Sequence, residues 1–369
     1  MAYWPIEPKR FAEQVGHWLE ASGPDADVVI SCRVRLARNL EGFPFVMRLE
    51  PEQAQEVANR LRPLLESREI DGETIWVDMP EAPTVLRLLL RERYLVSRDL
   101  APTDPRLSAR PGRAVAFGTN ETVSVMVNEE DHLRMQSLAS GLALREAWER
   151  LRDLDRSLEG EAGFACSESL GYLTGCPTNV GTGLRASVML HLPALGIARA
   201  ELEKVFQAAN RTGLAVRGSY GEGSKAAGDF YQISNQVTLG RTEEDLIADL
   251  TNLVPCIVDF ERRVRSVLME EQGSLLEDRV RRSYGMLRTA RSVATDVALM
   301  HLSNVRLGAA LGILPGIPPA ELQRLAIQIQ KGHVHALSGG ALEQDLADPT
   351  ERDRQRAAFL RRRFGEFAG

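Results

Sequence analysis

The sequence predicts an α+β protein in which a region of strands and helices is followed by a region of helices only. Segments with the two-residue period of strands occur up to residue 239 and alternate with segments of helical period. After Gly273 only helical periodicity is present, interrupted by the run Leu314-Pro315-Gly316-Ile317-Pro318-Pro319. We therefore expect a helical N-terminal segment over residues 1–27, an α+β domain over 28–265 and a helical C-terminal domain over 270–369.

Local patterns predict the individual elements. Phe11, Val15 and Trp18 recur at helical spacing, and Gly23-Pro24 is expected to end this first helix. The connection Asn120-Glu121 predicts a β-hairpin, so at least part of the sheet is antiparallel. Strands are predicted at 28–34, 74–78, 113–119, 122–128, 187–192 and 230–239. Helices are predicted at 51–67, 83–95 and 131–158.

A capping-box pattern opens a long helix near the end of the α+β domain. Thr242 and Asp245 have the required spacing. The apolar stripe expected along this helix consists of Leu246, Leu250, Leu253, Ile257 and Val264.

Composition and charge exclude several classes of protein. The net charge of −6 gives no overall basic field, which argues against direct binding of nucleic acid. The N-terminus lacks the apolar run of a signal peptide, and no segment is long enough to span a membrane. The cysteines form no CxxC pair, so neither a zinc site nor a disulfide framework is expected from Cys32, Cys166, Cys176 and Cys256. We expect a protein of the reducing cytoplasm.

A group of arginines lies in strand-like or glycine-rich segments rather than on polar helix faces. Within it, Arg33 and Arg35 project from the same side of a strand. Guanidinium groups bind phosphate oxygens bidentately and keep their charge, so several of them in one cleft predict a triphosphate site. Taken singly, each would be an ordinary solvated residue. The group consists of Arg33, Arg35, Arg38, Arg134, Arg185 and Arg217.

Carboxylates suited to a cationic substrate occur in two places. Glu129, Glu130 and Asp131 are consecutive at the end of a predicted strand, so Glu130 should point away from its neighbours. Glu222 lies in a glycine-rich turn, where backbone can approach a ligand closely. Two such carboxylates could hold a guanidinium, and one of them could accept a proton from it. The group becomes a nucleophile only after it has lost that proton. The alternative for the acidic run is a solvated loop.

Cys176 precedes Pro177 inside a glycine-rich turn. Neighbouring arginines and turn amides favour a thiolate, which would pair with a cationic substrate. The alternative is an inert, small apolar residue. Covalent thiol catalysis is not favoured, because no His/Asn partner pattern accompanies this cysteine.

Other motifs in the chain are rejected. Residues 218–225 resemble a P-loop, but Ser224 displaces the lysine and no helical pattern follows at once. Residues 181–186 match GxGxxA, yet a strand follows where a dinucleotide-binding fold needs a helix. His333 and His335 lack further ligands at metal-binding spacing and are interpreted as ordinary core or surface residues.

Five runs in order resemble the catalytic domain of phosphagen (guanidino) kinases, over roughly residues 28–265. They are SCRVRLARN, NEEDHLR, GYLTGCPTNVGTGLRA, VRGSYGEG and FYQISNQVTLG. The resemblance implies a curved antiparallel sheet flanked by helices and transfer of a phosphoryl group from Mg²⁺-ATP to a guanidino nitrogen. It further implies that Glu130 is the base and that Glu222 and Cys176 hold the guanidinium.

The same resemblance implies a set of nucleotide-binding residues in which the arginines hold the phosphates. Tyr94 is included because relatives tend to carry a nucleotide-contacting histidine near this position. The implied set is Ser31, Cys32, Arg33, Val34, Arg35, Tyr94, Arg134, Arg185, Ala186, Ser187, Val188, Met189, Arg217, Gly218, Ser219, Tyr220, Gly221 and Glu222.

Departures from the pattern indicate a subfamily. Kinases of small guanidines carry a helical domain before the SxRVR run, which begins here at Ser31, and an arginine where this chain has Thr238. They also end soon after the catalytic domain, whereas about a hundred residues follow here. This layout resembles the McsB-type bacterial protein arginine kinases, which phosphorylate arginine side chains and mark proteins for Clp-protease degradation.

A run near the C-terminus matches the RDxxRA motif through which that family binds phosphoarginine allosterically. Without the resemblance, the run predicts only a charged helix with a solvated face. The residues are Arg352, Asp353, Arg354, Gln355, Arg356 and Ala357.

Two alternatives remain open: a kinase for a free guanidine such as arginine, and a non-catalytic adaptor that binds phosphoarginine. As partners, the resemblance implies proteins presenting arginine, a Clp chaperone-protease, a zinc-binding activator protein and further copies of the chain. It also implies a role in the stress response.

Overall fold

The computed structural model describes residues 6–102, 110–218, 227–339, 346 and 348–367. Within these residues an antiparallel sheet is flanked by helices and followed by a helical region, which confirms the predicted fold class. The strands are β1 (Val29–Arg38), β2 (Thr74–Asp78), β3 (Ala114–Gly118), β4 (Val123–Val127), β5 (Leu133–Ser140), β6 (Cys166–Ser167), β7 (Gly171–Tyr172), β8 (Leu184–His191), β9 (Leu214–Gly218) and β10 (Phe230–Asn235).

The main sheet has eight strands in the order β2-β3-β4-β5-β1-β8-β10-β9. All of its pairings are antiparallel, and β3 and β4 form the predicted hairpin. Strands β6 and β7 form a separate small hairpin. Because β1 and β8 are central, residues on these two strands are held by hydrogen bonds on both sides. This position is suited to a rigid binding surface.

Helices account for most of the remaining described residues. They are α1 (Pro8–Glu13), α2 (Pro51–Glu66), α3 (Thr84–Glu92), α4 (Leu144–Ala162), α5 (Pro193–Ile197), α6 (Arg199–Arg211), α7 (Glu243–Thr289), α8 (Thr295–Ala310), α9 (Pro319–Gln328), α10 (Lys331–Leu337) and α11 (Pro349–Glu366). The predicted capping box of α7 is present: Asp245 N donates to Thr242 Oγ1 at 3.1 Å, and Thr242 N donates to Asp245 Oδ2 at 3.3 Å. Helix α7 deviates from helical geometry at Gln272, with φ −136° and ψ 27°.

Several predicted elements were wrong in type or extent. The helix predicted at 131–158 is strand β5 followed by α4, because β5 lies between β4 and β1 and is buried on both faces, which hides its period of two. Strand β9 was not predicted, and β10 ends at Asn235 rather than 239. The first helix ends at Glu13 and is followed by a separate 3₁₀ turn over His17–Leu19.

The C-terminal helices have a core of their own and also pack against the α+β region. Their core includes Leu299, Leu302 and Phe364. Helix α10 contacts α3 through one buried carboxylate: Gly332 N and His333 N donate to Glu92 at 2.7 and 3.0 Å. No helix among the described residues is both long and apolar enough to cross a bilayer.

Candidate active site

Basic side chains from neighbouring strands converge on one face of the sheet. Arg35 on β1 is the direct cross-strand partner of Arg185 on β8, and Arg33 lies two residues away on the same face. Arg134 is the second residue of the adjoining strand β5, and Arg217 lies on β9. Five of the six arginines predicted from separate motifs therefore share one surface.

The electrostatics of this cluster show an excess of positive charge. Burial, together with repulsion by Arg134 and Arg185, lowers the pKa of Arg33 to about 10. The pKa of Arg35 is also lowered, first by burial and then by repulsion from Arg33 and its neighbours. Arg35 Nε is buried without a hydrogen-bond partner in the described part of the chain. Partly buried guanidinium groups that repel one another and have an unused donor fit an anionic ligand such as a polyphosphate.

Arg134 differs from the others because it has a carboxylate partner. Its Nη1 donates to both oxygens of the Glu129 carboxylate, at 2.8 and 2.7 Å. Glu129 is buried and also accepts a hydrogen bond from the Ser97 hydroxyl. Although burial acts against its charge, the attraction of Glu129 raises the pKa of Arg134. Arg134 is thereby fixed in position with its charge retained.

A small cavity opens beside the arginines. Five of its lining residues belong to the predicted nucleotide set: Ser31, Arg33, Tyr94, Ser187 and Met189. Three others, Trp18, Leu138 and Gln232, were not predicted. The period of two in FYQISN would have placed Gln232 on the same face of the sheet as the arginines. There its Oε1 accepts a hydrogen bond from Arg33 Nη2 at 3.4 Å. No local signal identifies Trp18, which reaches the cavity from the N-terminal 3₁₀ turn.

Four residues of the predicted nucleotide set have side chains on the opposite face of the sheet. Successive side chains of a strand alternate between faces, so these four point into the hydrophobic core and do not line the cleft. They are Cys32, Val34, Ala186 and Val188. Burial raises the pKa of the Cys32 thiol to about 12. Arg38 is likewise outside the arginine cluster, because its guanidinium donates to the Asp155 carboxylate at 2.7 and 3.0 Å.

Glu130 lies at the tip of the tight turn between β4 and β5. Its backbone N donates to Glu129 Oε2 at 2.8 Å, and Asn128 supports the turn with φ +52°. Glu129 and Asp131 are buried, whereas the Glu130 side chain is 41% exposed, as the alternation predicts. Glu130 Oε2 lies 3.9 Å from Arg134 Nη1. Burial raises the pKa of Glu130, with Arg134 opposing that effect, so this carboxylate is a stronger base than an ordinary glutamate.

The thiol loop, residues 173–183, brings Cys176 to the same site. The pKa of Arg185 is lowered by burial and by repulsion from Arg217 and Arg134, while Cys176 and Glu130 act in the opposite direction. The thiol loop also contacts the turn that carries Glu130, because Gly175 N donates to Asp131 Oδ1 at 2.6 Å. The Cys176 Sγ lies 3.1 Å from Thr178 Oγ1.

Thr238 holds the thiol loop in place. Its hydroxyl lies within hydrogen-bonding distance of the carbonyl oxygens of Thr178 and Val180, at 3.0 and 2.7 Å. Gly181 has φ +109°, and a Cβ there would lie 2.7 Å from the Thr238 carbonyl oxygen. The threonine that replaces the arginine of the small-guanidine kinases is therefore a structural support for the loop.

Part of the predicted site falls outside the described residues. Ser219, Tyr220, Gly221 and Glu222 belong to this part, so the role of Glu222 as a second carboxylate stays a prediction. Arg217 and Gly218 end strand β9 at the edge of the sheet.

The C-terminal motif lies on α11 and is more deeply integrated than a solvated helix face. Arg356 is only 2% exposed, and its guanidinium donates to Ile329 O and Val293 O, each at 2.8 Å, and to Asp353 Oδ1 at 2.5 Å. Ala357 is buried as well, whereas the Arg354 side chain is 65% exposed. The interpretation as a solvated face is therefore wrong for Arg356 and Ala357. Binding of phosphoarginine by residues 352–357 stays a prediction.

Comparison with known proteins identifies two family regions in the chain. The profile of the ATP:guanido phosphotransferase C-terminal catalytic domain matches residues 56–264. The profile of the protein-arginine kinase McsB C-terminal domain matches residues 273–369. The two matches meet close to the irregularity of α7 at Gln272.

Individual relatives resemble nearly the whole chain. A protein-arginine kinase from Halothermothrix orenii is 42% identical over 353 residues, which cover 95% of this chain and 97% of the relative. A protein-arginine kinase from Geobacillus kaustophilus is 43% identical over 357 residues, covering 96% of this chain and 95% of the relative.

A solved structure supports the fold. The duplicated taurocyamine kinase from Schistosoma mansoni, with bound transition-state-analogue components, superposes with a TM-score of 0.56 at 28% identity. The match covers 71% of this chain and 39% of that longer one. Because the two profiles match residues 56–264 and 273–369 and the two relatives are 42–43% identical over about 95% of the chain, the chain belongs to the ATP:guanido phosphotransferase family, has a C-terminal domain of the McsB type, and is a phosphotransferase that acts on a guanidino group.

Proposed function

We propose that this chain is an ATP-dependent protein arginine kinase, which transfers the γ-phosphoryl group of ATP to arginine side chains of proteins. The observation that carries the proposal is the position of Glu130, a partly exposed carboxylate with a raised pKa beside a cluster of arginines, most of them partly buried. The names of relatives that match 95% of the chain support a protein-bound arginine as the acceptor.

The arginine cluster supplies the phosphate site. Arg33, Arg35 and Arg185 are held on strands at the centre of the sheet, so their charges need little reorganisation when the triphosphate binds. Phosphoryl transfer requires mainly positioning and neutralisation of charge on the phosphate oxygens. Fixed guanidinium groups in a partly buried cleft provide both.

The acceptor must lose a proton to become a nucleophile. A guanidinium has a pKa above about 12, and Glu130 would accept one of its N–H protons on a carboxylate oxygen. The freed nitrogen electron pair then forms the N–P bond as the bond between the γ-phosphorus and the bridging oxygen breaks, and ADP leaves with those electrons. We expect Cys176 and Glu222 to hold the remainder of the guanidinium.

Magnesium is expected to enter with the nucleotide as part of the substrate. The described residues contain no group of three or more His, Cys, Asp or Glu side chains that could hold a metal ion. Phosphate oxygens are ligands that Mg²⁺ prefers, and the ion adds to the neutralisation provided by the arginines.

Further parts of this proposal concern regulation and cellular role. We propose that residues 352–357 bind phosphoarginine away from the cleft, and that the enzyme acts in the cytoplasm. We also propose that phosphorylated proteins are marked for Clp-type degradation during stress, with an activator protein and self-association as further features. The match of residues 273–369 to the McsB C-terminal domain includes the proposed phosphoarginine-binding residues. The other statements rest on the resemblance to McsB-type kinases.

The test is phosphorylation of a generic unfolded protein, such as casein, by the full chain with Mg²⁺-ATP. Mass spectrometry under conditions that preserve acid-labile N–P bonds should find phosphoarginine in the protein, and Glu130→Gln should form it at least about 10²-fold more slowly. Phosphorylation of free arginine alone would instead establish a free-guanidine kinase. Binding of phosphoarginine without ATP turnover would establish an adaptor.

A further inference from the structure

Three separate segments of the active site meet at a buried polar pair, Asn39 and Asp131. Asn39 follows the end of β1. Asp131 belongs to the turn between β4 and β5, residues 128–132, which carries Glu130 and is called the acidic turn below. The third segment is the thiol loop. Asn39 and Asp131 are 2% and 1% exposed, so neither residue is accessible to a substrate.

Asn39 uses both ends of its amide to join these segments. Its Nδ2 donates to Asp131 Oδ1 at 2.6 Å and to Leu173 O, in the thiol loop, at 3.0 Å. Its Oδ1 accepts from His132 N at 3.0 Å. Asn39 therefore binds the acidic turn through two contacts and the thiol loop through one.

Asp131 completes the connection. Gly175 N donates to Asp131 Oδ1 at 2.6 Å, so this oxygen accepts from the end of β1 and from the thiol loop together. Asp131 is the sequence neighbour of Glu130, and Gly175 is the neighbour of Cys176. A single carboxylate oxygen thus lies one residue away from both groups that are proposed to contact the guanidinium.

The glycine at position 175 permits this close approach. A Cβ there would lie 2.9 Å from Glu130 O and 3.3 Å from Asp131 Oδ1. Any larger side chain must push the thiol loop away from the acidic turn.

We infer that Asn39 and Asp131 are positioning residues that set the distance between the Glu130 carboxylate and the Cys176 thiol. Backbone hydrogen bonds hold the ends of the thiol loop and close the acidic turn on itself. Among the described residues, however, no backbone hydrogen bond joins residues 174–176 to residues 128–132. A displacement of about 1 Å at a reacting group can cost about 10²-fold in rate. The inference rests on the proposed roles of Glu130 and Cys176, which their own variants test separately.

The first experiment separates positioning from nucleotide binding. Asn39→Ala and Asp131→Ala in the full chain are expected to lower kcat by about 10–100-fold. The affinity for nucleotide should stay within about threefold, because the arginine cluster is not altered. Asp131→Asn keeps an oxygen that accepts from Asn39 and Gly175, so its kcat is expected to recover to within about fivefold of the native value.

A pH profile distinguishes geometry from charge. The negative charge of Asp131 contributes to the raised pKa of Glu130, so both Asp131→Ala and Asp131→Asn should move the acid limb of the kcat/KM profile to lower pH. Only Asp131→Ala should also have a lower kcat on the plateau of the pH profile. Equal plateau losses in the two variants would contradict the inference.

The matched control for stability is Asn304→Ala. Asn304 is also buried and also connects two partners, since it accepts from Arg279 Nε and donates to Ser283 Oγ, both at 2.9 Å. The Asn304→Ala variant should have a lower Tm than the native chain, with kcat within about threefold of the native value. If Asn39→Ala lowers Tm in the same way and kcat stays within about threefold, the pair is only structural.

Gly175→Ala provides an independent variant if the alanine variants of the pair do not fold. It keeps Asn39 and Asp131 but displaces the thiol loop, and kcat is expected to fall at least tenfold with nucleotide affinity retained. Native kcat in Gly175→Ala would overturn the inference.

Discussion

Arg35 and Arg185 lie directly opposite each other on strands β1 and β8. Like charges in this relationship repel and destabilise the sheet. Among the described residues neither arginine has an ion pair with a carboxylate, whereas Arg134, another member of the cluster, is paired with Glu129. The phosphates of ATP would offset the repulsion.

This relationship predicts opposite effects of one substitution on binding and on stability. Arg185→Ala should weaken nucleotide binding by roughly 1.5–3 kcal/mol, about 10–100-fold. The protein without nucleotide should be as stable as the native chain or more stable, because a repulsive charge is removed. Calorimetric titration with ADP and thermal unfolding measure the two effects. Arg282→Ala, at a side chain 77% exposed, is the control. Unchanged ADP affinity in Arg185→Ala would place this arginine outside the phosphate site.

Glu130→Gln should lower turnover by about 10²–10⁴-fold, because the amide keeps the shape but cannot accept the proton. Nucleotide affinity should change little. In the native chain, the acid limb of the pH–rate profile should lie above the range of an ordinary glutamate, since the pKa of Glu130 is raised and the ionised form is the active one. Removing Arg134, which lowers this pKa, should move the limb to still higher pH. Near-normal turnover in Glu130→Gln would exclude it as the base.

The thiol can be examined in a variant with few competing cysteines. Cys166 and Cys256 are exposed and Cys32 is buried, so Cys166→Ser/Cys256→Ser leaves Cys176 as the accessible thiol. Alkylation of this variant should inactivate it, and Mg²⁺-ATP with substrate should slow the loss. Cys176→Ala should impair phosphorylation without lowering Tm appreciably. Complete alkylation at Cys176 with full activity would show that the thiol has no role.

His132 predicts an acid-dependent loss of stability. Leu40 N donates to its Nδ1 at 2.9 Å, so the proton of the neutral ring lies on Nε2, which donates to Pro44 O at 3.0 Å. Burial lowers the pKa of His132 from 6.5 to about 4. The unfolded chain binds a proton at His132 near pH 6.5, whereas the folded protein does so only near pH 4. The free energy of unfolding therefore falls as the pH is lowered from 6.5 towards 4.

Urea unfolding measured between pH 7.5 and 4.5 tests this assignment. His132→Gln should be less stable at neutral pH and should show a smaller loss of stability on acidification. A native chain and variant with the same dependence on pH would mean that His132 does not titrate in this window.

The two arginines that flank Gln355 should behave differently. Arg356→Ala removes three hydrogen bonds from a buried group and should lower the free energy of unfolding by about 1–3 kcal/mol or more. Arg354→Ala should change it by no more than about 0.5 kcal/mol. Titration of phosphoarginine into the native chain and Asp353→Asn, following both binding and initial rate, tests the proposed regulatory role. Equal binding and equal response would show that Asp353 takes no part.

Much of the candidate site could be predicted from periodicity. Alternation along β1 placed Arg33 and Arg35 on one side, because successive side chains of a strand point to opposite faces. Applied to Cys32 and Val34, the same rule would have excluded their side chains from the cleft. Glu130 is partly exposed between its buried neighbours as predicted, but it lies in the turn after β4 and not on a strand, so the pleat is not the cause. The capping box of α7 was also readable locally, since both of its hydrogen bonds lie within four residues.

Local patterns were therefore enough to predict the α+β class, the hairpin of β3 and β4, the start of α7 and the shared side of Arg33 and Arg35. These features depend on residues within a few positions of one another. The tertiary structure decided which strands are neighbours, and with that the pairing of Arg35 with Arg185, the strand at 133–140 and the cavity shared by Trp18 and Tyr94. It also decided the contact of Asn39 with Asp131, 92 positions apart. Such contacts depend on how the hydrophobic core packs distant segments together, and no local pattern of residues encodes them.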